Sequence, residues 1–273
     1  MLASDAVTGG EQVDLVTPAT NSAHEIVSPG AVSSPLTPPS EVGNRYSTSR
    51  RAFNDALRAS TAEAGRTRLR TAMRSYVSKG AGGSRVLTRR MEAARNRVGS
   101  FYSALDTIQQ YGKIAGLLRL NLDGYVNRPA QDILGALSDL IFQPDGKSFE
   151  NTEDDYLVKE AYGNTVLRIL REPDVSLDNL TSESVAAMTS IFICESIALR
   201  VLHDIGVHLY KSTTDVNRIL RVEEDVYQLV EGLVRNTVMN HIASTPTTTK
   251  EDVERLMQSV YQIAFNSIEG VGE

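Results

Sequence analysis

The sequence predicts an all-α protein: a helical bundle of roughly eight to nine helices behind a disordered N-terminal tail. Three observations carry this. From residue 44 onward, apolar residues recur at three- and four-residue spacings. No convincing alternation of apolar and polar residues flanked by hairpin turns interrupts them. Only four of the nine prolines lie beyond residue 43, each between periodic segments.

Residues 1–43 hold the other five prolines, much Ser, Thr, Ala, Val and Gly, and no aromatic residue. Such a segment cannot bury enough apolar area to offset about 1–2 kcal/mol of backbone entropy per residue. It reads as a Pro/Ser/Thr-rich acidic tail, either plainly solvated or docking into a partner as an extended peptide. A first helix is expected over 45–60, with Phe53 and Leu57 four apart, and a second over 64–78, with Leu69, Met73, Tyr76 and Val77 on one side. The glycine-rich loop Lys79-Gly80-Ala81-Gly82-Gly83-Ser84 follows. A third helix starts at Ser84 and runs toward Val98; Gly99 perturbs the passage into a fourth over 100–120, carrying Phe101, Leu105, Ile108, Leu117 and Leu118. Gly112 and Gly116 either weaken that helix or permit close packing.

Pro129 opens a helix bearing Ile133, Leu134, Leu137, Leu140 and Ile141, which the Pro144-Asp145-Gly146 turn ends. Asn151 and Asp154 approximate a cap for a helix through Arg171, closed by Pro173. The segment 182–209 is apolar around most of its circumference and belongs in the middle of the bundle. Ile219, Val222, Val226, Leu229 and Leu233, then Val253, Leu256, Val260 and Ile263, repeat a three-four spacing, with Thr248 and Glu251 as a capping box for the last helix.

Charge divides the chain. Residues 1–43 have five acids and no Lys or Arg. Residues 44–119 carry 16 Lys/Arg against four acids, a net +12, and residues 120–273 carry 12 against 25, a net −13. The expected organisation is therefore an acidic tail (1–43), a basic helical segment with a Gly-rich turn (44–120) and an acidic helical bundle (121–273) continuous with it. Arg66, Arg70 and Arg74 share one helical face, and Arg85 and Arg89 another, with Arg90, Arg95 and Arg97 nearby. Like charges four apart repel, so something negative should face them: the acidic half of the same chain, an acidic protein partner or nucleic-acid phosphates. The Gly-Gly turn reads as a helix–helix connection needing positive φ, or as an anion contact at a helix start.

Several chemistries are disfavoured. The G-x-x-x-x-G-K-[ST] and G-x-S-x-G spacings are absent. One cysteine, Cys194, excludes an internal disulfide framework and a Cys-based zinc site, and His203 and His208 do not share a helical face. Cys194 reads as a core residue and Glu195 as hydrogen-bonded within the bundle. No catalytic, metal or cofactor residues are assigned. No apolar run reaches the roughly 18 residues that span a bilayer, and the N-terminus lacks signal-peptide character, so a cytoplasmic protein without membrane contact is expected.

The stretch from Arg70 to Ser84, with Arg89-Arg90-Met91 following, resembles the QatB family of the Qat antiphage defence systems. Ala130-Gln131-Asp132-Ile133-Leu134, Pro144-Asp145-Gly146, Phe192-Ile193-Cys194-Glu195 and Asp204-Ile205-Gly206 are similar to the same family, over roughly 65–242. The resemblance implies a bacterial cytoplasmic protein working with an ATPase, a QueC-like protein and a TatD-like nuclease. It also implies a non-enzymatic role as binding partner of the QueC-like protein, with the N-terminal tail as its substrate in one version. Leu2 stands where related enzymes act on glycine, so that version requires an N-terminus made elsewhere, near Gly9-Gly10, or fails for this chain. Lys79, Gly82, Gly83, Arg85, Arg89 and Arg90 are the candidate partner-binding residues. The alternative is a nucleic-acid-binding module using the basic segment.

Overall fold

A computed structural model describes residues 46–143, 152–171 and 177–270. The tail, the Pro144–Gly146 turn, Asn151 and Pro173 lie outside the described residues. Within them the fold is all-α. The helices are α1 (Ser47–Leu57), α2 (Ala62–Ser75), α3 (Ser84–Arg90), α4 (Glu92–Tyr111), α5 (Lys113–Arg119), α6 (Ala130–Phe142), α7 (Glu153–Ile169), α8 (Ser182–Ser212), α9 (Val216–Ser244) and α10 (Lys250–Glu269). A π-helical turn, Tyr76–Gly80, prolongs α2, and a 3-10 turn, Asp123–Tyr125, follows α5.

The centre is α8. Residues 188–199 are buried without a break, enclosed by α1, α4, α7 and α9. Two of its polar members are satisfied locally: Thr189 donates to the Val185 carbonyl (2.8 Å) and Ser190 to that of Ala187 (2.7 Å). By length and composition, Ser182–Gly206 could cross a membrane, which corrects the expectation that no segment reaches that length. With 83% of its most apolar window buried in the fold, it has the placement of a core helix. Phe101, Tyr162 and Phe192 pack edge-to-face around it, with centroids 5.5–5.7 Å apart. One apolar cluster runs from Tyr46 to Ile268.

Other differences have local causes. The helix expected from Ser84 to Val98 breaks at Met91 (φ −88°, ψ 25°), not at Gly99. Gly99 lies inside α4, where a Cβ would stand 3.3 Å from Met257 of α10, so it serves close packing. The run 100–120 is two helices, because Gly112 adopts φ 78°. The chain folds back there and Gly116 presses on the backbone of Ile108. Leu117 then points inward while Leu118, one residue round, is exposed. On α9 the buried stripe is Val222, Val226, Val230, Val234, Val238 and Ile242, with Leu229 and Leu233 only at its flank. Steps of four overshoot a full turn by about 40°. The stripe therefore winds around the helix, consistent with its contacts to α1, α2, α8 and α10.

The last helix is capped one residue later than the sequence suggests: Thr249 and Asp252, not Thr248 and Glu251, form the box. Hydrogen bonds from Thr248 and Thr249, the backbone N–H of Thr248 foremost, hold the Asp252 carboxyl down at about 2, against an ordinary 3.8. An acid depressed on folding stabilises above its unfolded value and loses that contribution as pH falls through the folded one. Asp252→Asn should therefore flatten the pH dependence of stability between 3.8 and about 2, read by denaturant unfolding at successive pH values.

The glycines give a paired prediction. Gly116→Ala forces a Cβ to 2.6 Å from Ile108 Cα and should destabilise by about 1–3 kcal/mol. Gly135→Ala, mid-helix with nothing within 4 Å, should stabilise by about 0.5–1 kcal/mol. Thermal melts of the two variants should move in opposite directions.

Candidate functional site

The glycine-rich connection is a rigid junction. Ala81 N–H reaches back to the Tyr76 carbonyl (2.7 Å) and Gly83 N–H to that of Val77 (2.8 Å), widening the end of α2 into a π turn. Gly82 (φ 87°) and Gly83 (φ 95°) then turn the chain into α3, the positive φ expected of that pair. Gly80 is required for another reason: a Cβ there would come within 2.6 Å of the Tyr46 ring. The amide at the start of α3 is already occupied. Ser84 N–H donates to Glu269 Oε2 (3.2 Å), and Gln262 Nε2 donates to Ser84 Oγ (2.8 Å), so the end of α10 holds the turn. The anion-contact reading is thus met from within the chain.

Below the turn a polar network joins the basic segment to the acidic bundle. Arg90 Nη1 donates to Tyr46 Oη (2.9 Å), and Tyr46 stacks on Tyr76 with centroids 5.5 Å apart. Tyr76 Oη donates to Asp204 Oδ2 (2.7 Å). Arg200 pairs with Asp204 (3.3 Å) and with Asp154 (2.5 Å). Burial, then the Asp204 charge, raises Tyr76 well above the ordinary tyrosine value, so it remains a donor. Burial opposes the charge of Arg200, but Asp204, Tyr76 and Asp154 outweigh it and raise its pKa. Asp204 and Glu195, both within stretches that carry the family resemblance, serve the fold's interior. Arg168 donates to Glu195 (2.8 Å) and Glu231 (2.7 Å), and Arg235 also donates to Glu231 (2.7 Å).

The six predicted partner-binding residues separate. Lys79, Gly82, Arg85 and Arg89 are exposed, and Gly83 is half-buried. Arg90 is half-buried and turns to Tyr46. Among the described residues, the side chains of Lys79, Arg85 and Arg89 make no ion pair or hydrogen bond. Elsewhere in the basic segment, Arg66 reaches Asp225 (3.5 Å) and Lys113 reaches Asp178 (2.6 Å). Arg68 caps the Asp55 carbonyl and Arg97 that of Ile141. The acidic half therefore engages only part of the basic segment. Arg95 stands among the basic residues of the sequence, but nothing in the periodicity links it to Gln258 and Gln262 of α10. The three share a recess with Arg85, Thr88 and Arg89.

Among the described residues no group of three or more His, Cys, Asp or Glu could hold a metal ion. His203 instead meets Glu153 (2.8 Å), and His241 meets Ser259 (3.0 Å). Cys194 is buried, as expected of a core residue, and burial pushes its thiol up to about 12.

A family model described as QatB, Qat anti-phage system associated protein QatB, matches residues 82–268, well over half of the chain. The chain belongs to the QatB family. Within the QatB match fall Gly82 and Gly83 of the junction, all of α3 and the helices that follow, up to Ile268, the residue before Glu269 at the end of α10. The Arg70–Ala81 part of the resemblance precedes it, and the match continues beyond residue 242 to include the helix that braces the turn. No curated protein and no solved structure matches the chain.

The buried thiol yields a direct check. Cys194 should be silent to a disulfide-exchange reagent at about pH 8 in the native protein. It should react fully once the chain is unfolded in guanidinium chloride. Fast native reaction would contradict its place in the core.

Proposed function

We propose that this QatB-family protein is a non-enzymatic interaction component of its Qat anti-phage system, docking on the QueC-like protein through the outer surface of the glycine junction and α3. The observation that carries this is the pair Arg85 and Arg89, exposed one turn apart and unneutralised among the described residues. Two like charges so placed repel, and a negatively charged partner surface would remove that cost while steering association. Lys79 and Gly82 extend the surface, while Gly83, Arg90 and Tyr46 hold it from behind. Bracing by Glu269 and Gln262 supports the reading, because a preorganised surface loses less entropy on binding. The acidic tail, residues 1–43, is the segment offered to the QueC-like protein. The ATPase and the TatD-like nuclease complete the set of partners, in the cytoplasm.

The same exposed cations favour a second reading, an interface for nucleic-acid phosphates. Selectivity separates the two. Phosphate binding weakens log-linearly with salt concentration for any duplex, whereas a protein partner is recognised selectively.

The test is charge reversal. Arg85→Glu together with Arg89→Glu should lower capture of the QueC-like protein by about tenfold or more, with helical circular dichroism retained because both side chains are exposed. Unchanged capture removes the docking surface. Duplex DNA binding that the same substitutions abolish, with capture intact, transfers the surface to nucleic acid.

A further inference from the structure

Beside the outward face of α3 lies a recess of about 300 Å³, lined by Arg85, Thr88 and Arg89 of α3, Arg95 of α4, and Gln258 and Gln262 of α10. Three of its six lining residues are arginines and none is acidic. Neither Arg85, Arg89 nor Arg95 has an ion-pair partner among the described residues. Arg95 is the informative member. Its Nε is buried and finds no hydrogen-bond partner. A buried donor left unmade is costly and calls for a specific explanation. Arg95 is held in place from the first turn of α4, its amide bonded to the Met91 carbonyl (2.8 Å).

We propose that this recess is a binding site for a phosphoryl group carried by a small molecule. Three arginines line it from two helices, a composition that suits a tetrahedral dianion better than a planar monoanion, which one or two forks already satisfy. The Gln258 side chain adds a neutral polar group to the wall. Gln262 is committed to Ser84 and Asn266 through its Nε2, and Thr88 to the Ser84 carbonyl. These two serve as fixed walls, and the arginines do the binding. The site shares Arg85 and Arg89 with the docking surface proposed above, but it needs no protein partner, and Arg95 is not part of that surface.

The full chain is titrated with inorganic phosphate, pyrophosphate and ADP while its melting temperature is followed. Chloride and acetate at matched ionic strength are the controls. The expected result is a saturable rise in melting temperature with the phosphates and none with the controls. Tighter binding of ADP than of inorganic phosphate would mark an organic phosphate; equal binding would mark the free ion; either supports the site. Arg95→Gln should abolish the response. Arg89→Gln, at an exposed position that tolerates exchange, should weaken affinity by about tenfold, and it keeps the test decisive if the Arg95 variant folds poorly. A flat response to all three phosphates, an equal response to acetate, or unaltered affinity in Arg89→Gln overturns the proposal. Capture of the QueC-like protein is measured on the same variants. Lost phosphate binding with intact capture leaves the docking reading standing, and the reverse leaves this one standing.

Discussion

The need to enclose α8 on every side governs this fold. A helix that buries residues 188–199 consecutively has no face to give to water, so its neighbours are obligatory. Each fully buried Leu, Ile or Phe contributes about 1.5–3 kcal/mol, and α1, α4, α7 and α9 supply the surfaces that realise it. The same enclosure explains the polar apparatus inside. Glu195 is almost fully buried, and burial raises its pKa. Arg168 answers it and is itself held by Glu231. Such pairs are required once a carboxylate lies in the core, since removing one partner strands the other.

This internal economy determines what is left outside. Asp154, Asp204, Glu195 and Glu231 pair with Arg200, Arg168 and Arg235, cations of their own half of the chain. The links from the basic segment, Arg66 to Asp225 and Lys113 to Asp178, are partly exposed and worth at most about 1 kcal/mol each. Net charges of +12 and −13 thus stand in one fold without cancelling at α3. The anionic surface that Arg85 and Arg89 call for is supplied, in the reading advanced above, by a second molecule.

What was legible in the sequence follows from period and composition. The all-α class, the central place of the 182–209 segment and the positive φ of Gly82 and Gly83 could be read because each depends on neighbours along the chain. Helix ends were harder. Gly99 and Gly112 look alike in sequence, yet one packs on Met257 and the other turns the chain; only the surrounding tertiary structure separates them. The valine stripe of α9 is not legible beyond Val226, because Leu229 and Leu233 fit an ideal three-four spacing equally well. The brace of Ser84 by Glu269 and Gln262, the inward turn of Arg90 and the meeting of Arg95 with α10 had no local signal at all. Each joins residues far apart in the chain.

That brace sets an order of events. Glu269 reaches Ser84 across 185 positions, and contacts of such separation close late, after loop entropy has been overcome. On the ribosome, where folding begins from the N-terminal side, α2 and α3 emerge long before α10 exists. The arginine-bearing junction therefore acquires this support only once α10 has been made. A chain interrupted before α10 would display Arg85 and Arg89 without the hydrogen bonds from Glu269 and Gln262 that fix the start of their helix.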